Sequence, residues 1–231
     1  VARPGEPVRA DAFRASVPVL FGYIPLGAAF GLLFGTLGYP WPLAVLSGVV
    51  VYAGAAQFLS VGLLAAHAGL GAVFAATFFL NLRHMFYGIS FLRRFPRAGW
   101  RRAYLIFTLT DETYSVLTAR KSADRAEDES FCLWVSALNH GYWILGCALG
   151  ALLGRRVHFE MKGLDFVLTA LFVMLAVEQA LVVRRAPPFV AAAGAAALAL
   201  IFFPSQMLPV SLAIVFAILF IRSWSADTAH A

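Results

Sequence analysis

Residues Leu70–Ala119 read LGAVFAATFFLNLRHMFYGISFLRRFPRAGWRRAYLIFTLTDETYSVLTA, and this stretch decides the solvent in which the chain folds. Two apolar windows, 70 to 92 and 103 to 119, flank a connection that carries Arg93, Arg94, Arg97, Arg101 and Arg102. About 20 apolar residues, at about 1.5 Å per residue, cross roughly 30 Å of hydrocarbon. Basic residues massed between such windows mark the side of a membrane on which a connection stays.

Working outward, similar windows recur at 16 to 37, 42 to 66, 131 to 154, 164 to 183, 188 to 203 and 207 to 221. The expected fold class is therefore all-α: a polytopic integral membrane helix bundle of about seven to eight apolar segments, of which 42 to 66 is a candidate for a discontinuous one. One transmembrane domain, 16–222, is expected between a polar N-terminal segment, 1–15, and a polar tail, 223–231. Composition agrees, with 61% hydrophobic and 13% charged residues among 231 and a mean hydropathy of +0.80, whereas soluble domains carry roughly a quarter charged residues. A net charge of +6 raises the question of nucleic acid. The basic residues stand in short groups between apolar windows rather than on one face, so the bilayer is the expected partner and nucleic acid is not.

Other features call for no function. Cys132 and Cys147 lie in one apolar window and suit small packing residues. No cleavable signal sequence is expected at the N-terminus. The polar stretch Arg120–Ser130 (RKSADRAEDES) is expected to be a solvated loop without a role. Gly27, Gly31 and Gly35 recur at helical spacing, which lets a neighbouring backbone approach closely. Ala191–Ala199 follows Pro187 and Pro188, as a helix start and a crowded helix require.

The arginines also pose a topology problem. Arg3, Arg9 and Arg14 compete with the Arg93–Arg102 connection for the cytoplasm, yet three apolar windows lie between them, an odd number of crossings. Two readings of 42 to 66 remain open. In one it is a continuous helix and the N-terminus lies outside. In the other it breaks near Gly54, within Tyr52-Ala-Gly-Ala-Ala-Gln-Phe58, leaving two halves too short to span alone. Such broken helices face a substrate or a water-filled cavity in transporters, which makes Tyr52, Gly54 and Gln57 candidate path residues. A second conflict, Arg155 and Arg156 against Arg184 and Arg185, stays open.

Ionisable residues inside apolar windows carry the strongest functional signal, since a charge at the bilayer centre costs about 2.5–3.5 kcal/mol even on lenient scales. Arg83 lies ten residues before Arg93 and Asp111 ten residues after Arg101, so each sits about 15 Å from that interface. If the flanking windows form a hairpin, Arg83 and Asp111 share one depth, as a structural salt bridge or as the lining of a polar path. Glu112 should face elsewhere, because neighbouring helix positions point about 100° apart. His84 is a candidate proton relay. Asn139 and His140, in Asn139-His140-Gly141-Tyr142-Trp143, are a candidate helix–helix hydrogen-bond site or relay, and Glu178 ranks below Asp111.

No nucleophile elbow, zinc-protease motif or phosphate-binding loop is present, so an enzyme is not expected, and neither a cofactor nor a metal is implied. A passage walled by apolar side chains with few fixed charges suits an apolar amino acid, whose ammonium and carboxylate both need satisfaction in low dielectric. An ion channel or pore is the alternative, since it too uses polar groups within the bilayer.

Gly22-Tyr-Ile-Pro25, Tyr52-Ala-Gly-Ala-Ala-Gln-Phe58, Arg83-His-Met-Phe-Tyr-Gly88 and Leu109-Thr-Asp-Glu112, in this order, resemble the AzlC family, the large subunit of bacterial branched-chain amino acid exporters. The similarity covers most of the chain and is sharpest from Phe13 to Thr118. The resemblance implies a permease for amino acid transport, with export of leucine, isoleucine and valine and with methionine as a further candidate. It also implies a small AzlD-type membrane subunit as partner and the bacterial inner membrane as location. Protons are the coupling ion expected of this transporter class. Asn139, His140 and Glu178 lie outside the sharpest similarity and rest on their chemistry.

Overall fold

The computed structural model describes residues 7–91, 94–95, 99–120, 124–155, 173, 177, 186–204, 207, 210–211, 213–215 and 217–218, the side chains of 83, 86, 90 and 188 excepted. Every regular element among them is an α-helix. The chain divides into two compact units, Val1–His67 with Leu80–Met161, and Ala68–Phe79 with Lys162–Ala231.

The first unit is built on two long helices, α1 (Val8–Thr36) and α7 (Arg125–Gly154). Among the described helices α1 alone is long and apolar enough to cross a membrane by length and composition, with a mean hydropathy of 1.9, and several shorter apolar helices accompany it. Pro18 and Pro25 lie inside α1, and each removes a backbone donor, freeing a carbonyl one turn earlier. Asp124 caps the start of α7, accepting from the amides of Ala126 at 2.8 Å and Glu127 at 3.3 Å.

The two long helices run parallel along a glycine seam. A methyl group on Gly27 would stand 2.9 Å from the Trp143 carbonyl oxygen, and one on Gly146 would stand 2.7 Å from that of Ile24. A methyl on Gly31 would overlap the Cys147 carbonyl, and one on Gly150 that of Ala28. The backbones therefore touch, as small residues at four-residue spacing permit. Gly35 differs from its expected partners, since nothing lies within 4 Å of its substitution point.

Two hairpins of short helices lean on this pair. The first joins α2 (Trp41–Val50) to α3 (Gly54–Ala65), and the second joins α5 (Trp100–Phe107) to α6 (Asp111–Ala119). In the first, α2 descends from beyond the end of α1, with Gly48 against Ile144 and Cys147 of α7. Its tip carries Tyr52 to His140, ring centroids 4.4 Å apart. Then α3 turns back: Gln57 donates to Ser47 at 3.0 Å, and Phe58 meets Phe30, further along α1, at 5.8 Å.

The second hairpin enters from the opposite end. Arg101 pairs with Glu129 at 3.1 Å, and deeper in α5 the Tyr104 hydroxyl lies 3.3 Å from Nδ1 of His140. On the return, Thr113 accepts from Asn139 at 3.0 Å, and Leu117 packs with Ala12, Phe131, Cys132 and Val135. Arg120 then reaches Asp11, near the start of α1, at 2.6 Å. Helix α4 (Leu70–Phe91) links the hairpins; near its end Tyr87 stacks on Tyr114 of α6 at 4.6 Å.

Two sequence expectations change here. The window 103 to 119 is not one helix but a hairpin broken at Thr108–Thr110, because Thr110 takes an extended N-cap conformation and accepts from the Thr113 amide. The stretch Arg120–Ser130 is not merely solvated. Arg120 pairs with Asp11 and, at 2.7 Å, with Glu127. Asp128 takes both prongs of the Arg94 fork at 2.7 Å. Arg94 also donates to the Leu117 and Arg120 carbonyls. Burial opposes the Arg94 charge, but the Asp128 carboxylate more than offsets it and raises the guanidinium pKa.

In the second unit α8 (Ala186–Phe202) opens on Ala186-Pro187-Pro188, where the missing amide donors cost no helical bond. Most of the window 164 to 183, with Glu178, part of 207 to 221, and Arg156, Arg184 and Arg185 lie outside the described residues.

Candidate functional site

The two hairpin tips meet halfway along α7. The first break spans Val51–Ala53, and Tyr52 takes φ 40 there, a left-handed conformation that costs a bulky residue roughly 1–3 kcal/mol. The expected break near Gly54 is thus displaced to Tyr52. Gly54 instead starts α3, where an added methyl would stand 3.1 Å from the Trp143 ring. The Tyr52 ring also lies 6.1 Å from Phe107, on the opposing hairpin, and 6.4 Å from Tyr23 of α1.

Around these tips a hydrogen-bonded chain runs through buried groups. Tyr23 donates to Oε2 of Glu112 at 2.7 Å, and its hydroxyl lies 2.6 Å from that of Thr110. The hydroxyls of Thr110 and Thr113 are 3.1 Å apart, and Asn139 donates to Thr113. On the other flank Trp143 donates to Oε1 of Gln57 at 2.8 Å. The chain ends on unmatched atoms: Oδ1 of Asn139 and Oγ of Ser136 are buried without a hydrogen bond. Buried polar groups normally find partners, so a cluster that lacks them calls for an explanation.

The backbone adds its own electrostatics. Helices α3 and α6 both begin at the tips, pointing the positive ends of their dipoles inward, while α2 and α5 end there and present terminal carbonyls. Thr110 caps α6, whereas no side chain caps α3 at Ala53. Positive and negative backbone poles are thus placed side by side, as the two ends of a zwitterion require.

Of the residues marked from sequence, Tyr52, Gly54, Gln57, Asn139, His140 and Glu112 gather here. Asp111 is the first residue of α6 and lies next to Glu112, which faces Tyr23. The Arg83 side chain lies outside the described residues. Its backbone position is one turn before Tyr87, and Asp111 is nearly one turn before Tyr114, the ring on which Tyr87 stacks. His84 lies in the same region of α4, its ring 6.0 Å from Tyr87. Tyr23, Tyr104, Thr110, Thr113 and Trp143 are members that ionisable residues alone did not flag. Four of them sit inside or within three residues of quoted motifs: Gly22–Pro25, Leu109–Glu112 and Asn139–Trp143.

Comparison with known proteins bears on this site. The family model described as "AzlC protein" matches residues 18–157, which include both hairpins and all of α7. A protein of Bacillus subtilis (strain 168) named branched-chain amino acid transport protein AzlC is 35% identical over 170 residues, 73% of this chain and 66% of that one. A protein of Helicobacter pylori (strain ATCC 700392 / 26695) described as an uncharacterized membrane protein is 38% identical over 73% of this chain and 74% of its own. The inner membrane protein YgaZ of Escherichia coli (strain K12) is 29% identical over 74% of this chain and 70% of its own. No solved structure matches the chain.

Proposed function

Because the chain belongs to the AzlC family, we propose that it is the membrane-embedded subunit of a secondary transporter that exports branched-chain amino acids. Leucine, isoleucine and valine are the substrates, with methionine at the edge of the range. The carrying observation is the meeting of two oppositely entering half-helix hairpins on a buried polar cluster with unmatched acceptors.

In a bilayer, broken helices are tolerated only where the freed backbone faces protein, water or a ligand. The exposed apolar side chains of this unit, such as Phe21 at 72% and Leu46 at 53%, suit lipid contact. Within the first unit and its link α4, the proposed topology has α1, α4 and α7 crossing and both hairpins re-entering. It returns Arg9 and Arg14 to the side of the Arg93–Arg102 connection, which removes the conflict with the positive-inside rule. That side is then the cytoplasm, and the membrane is the bacterial inner membrane.

The substrate carboxylate is held by the start of α3 and by Arg83, and its ammonium by Asp111 and the terminal carbonyls of α2 and α5. Glu112, in the first turn of α6, and His84, beside Arg83 on α4, are the proposed route for coupling protons. A small AzlD-type subunit completes the transporter. Nothing in this chemistry requires catalysis of a covalent step.

Vesicles that contain both subunits are expected to move labelled valine with saturation, and Asp111→Asn is expected to abolish movement while the protein accumulates normally. Conductance without saturation would favour a pore, and normal transport by the folded variant would remove Asp111 from the mechanism.

A further inference from the structure

A cleft of about 500 Å³ lies between α5 and α7, away from the tips. Its volume falls in the range of small-molecule sites. Trp100, Leu133 and Trp134 supply apolar walls, and Arg101 and Glu129 stand in it as an ion pair at 3.1 Å. The pair is open to solvent, with 56% of the Arg101 side chain exposed, so it contributes little to holding the helices together.

Tyr104 belongs to both regions. It lines the cleft, and its hydroxyl lies 3.3 Å from Nδ1 of His140, a member of the buried cluster at the tips. The cleft therefore leads from the Arg-rich end of the protein to the buried cluster, with one phenol between them.

We propose that this cleft is a capture site for an apolar amino acid, and that Tyr104 separates it from the site at the hairpin tips. The inference rests on the transport reading above and adds to it a second, outer binding position. An amino acid matches the cleft at three points. Its carboxylate replaces Glu129 on the Arg101 guanidinium, its ammonium takes Glu129, and its aliphatic side chain lies between the two indoles and Leu133. The exchange conserves charge, because a zwitterion inserts into an existing pair of opposite charges. In an exporter the cytoplasmic end is where substrate must be captured, and the cleft opens at the end assigned to the cytoplasm. Tryptophans at a membrane interface also anchor a protein among lipid headgroups, but anchoring requires neither a cleft nor a residue that continues to the centre.

The test uses Ala137→Cys, a position that lines the cleft and is exposed. With the full transporter in vesicles, a hydrophilic maleimide applied from the cytoplasmic side is expected to label this cysteine quickly, and L-leucine is expected to slow labelling at least fivefold. Octylamine and octanoate, which carry one charged end each, are expected to protect weakly. Arg101→Gln is expected to abolish leucine protection while leaving the labelling rate without leucine unchanged. Labelling indifferent to leucine at concentrations that saturate transport would overturn the proposal, as would full protection that persists in Arg101→Gln. Leucine flux is measured in the same vesicles. Flux without protection overturns only the capture site, whereas absent flux overturns the transport reading.

Discussion

Polar groups gather in two regions of the first unit, and they are satisfied in opposite ways. Near the start of α1, Arg94, Arg120, Asp11, Glu127 and Asp128 form ion pairs of 2.6–2.7 Å, and Arg94 also serves the exposed carbonyls at the end of α6. At the hairpin tips the groups are mainly neutral, linked through hydroxyls and amides, and Oδ1 of Asn139 and Oγ of Ser136 lack partners. The charged cluster fastens the second hairpin to both long helices through its ion pairs, although Nη1 of Arg120 is buried there without a hydrogen bond. Charge thus anchors the second hairpin near its entry, whereas mainly neutral groups join the tips, where the proposed function puts the substrate.

The largest effect is expected at Arg94. Arg94→Ala leaves Asp128 buried without its partner, and removing one member of a buried pair costs about 3 kcal/mol or more. Thermal unfolding in detergent should show a large loss of stability, and Arg94→Lys should recover only part of it, since an ammonium cannot reproduce the fork. If Arg94→Ala is as stable as the parent, the charged cluster is not an anchor.

A smaller loss is expected along the glycine seam. Gly31→Val forces α1 away from the Cys147 carbonyl, and overpacking costs about 1–3 kcal/mol. Gly35→Val meets open space, so the two variants should separate clearly by accumulation in the membrane. Equal behaviour would remove the seam.

At the tips the expected effect falls on transport. Tyr23→Phe keeps the ring but removes the donor to Glu112, and a hydrogen bond to a charged group contributes about 1.5–3 kcal/mol. Valine flux should drop roughly tenfold or more, with a smaller change in stability than Arg94→Ala brings. An unfolded Tyr23→Phe with flux in proportion to the remaining protein would make the two regions alike. The smallest effect on stability is expected for Arg101→Gln, under about 1 kcal/mol, read by the same unfolding assay.

Much of this arrangement is legible in the sequence. Apolar windows mark the described helices, Gly27 and Gly31 announce the seam, and the arginine pattern leaves open whether the 42 to 66 window crosses once or turns back. In the structure it turns back at Val51–Ala53. What pattern alone could not supply is long-range. Thr110-Asp-Glu carries a helix-start signal, an N-cap threonine followed by acidic residues, inside a window apolar enough to pass as one segment. Asp124 and Glu127 give the same kind of signal inside a stretch that reads as solvated loop. In the same stretch Arg120 and Asp128 pair with Asp11 and Arg94, which are distant in sequence, and no local periodicity reveals such pairing. Tyr23 was hidden because a tyrosine in an apolar helix is ordinarily packing; only the opposing Glu112 and Thr110 give it a role.

In the proposed topology both hairpins return to the end from which they came. Single cysteines at Tyr39 and Ala66, flanking the first hairpin, and at Trp100 and Arg125, flanking the second, report this through labelling by an impermeant reagent from one side of the membrane. The expected result is that Tyr39→Cys and Ala66→Cys react from one side, and Trp100→Cys and Arg125→Cys from the other. Reaction of Tyr39→Cys and Ala66→Cys from opposite sides would contradict the account, because the first hairpin would then be a single crossing.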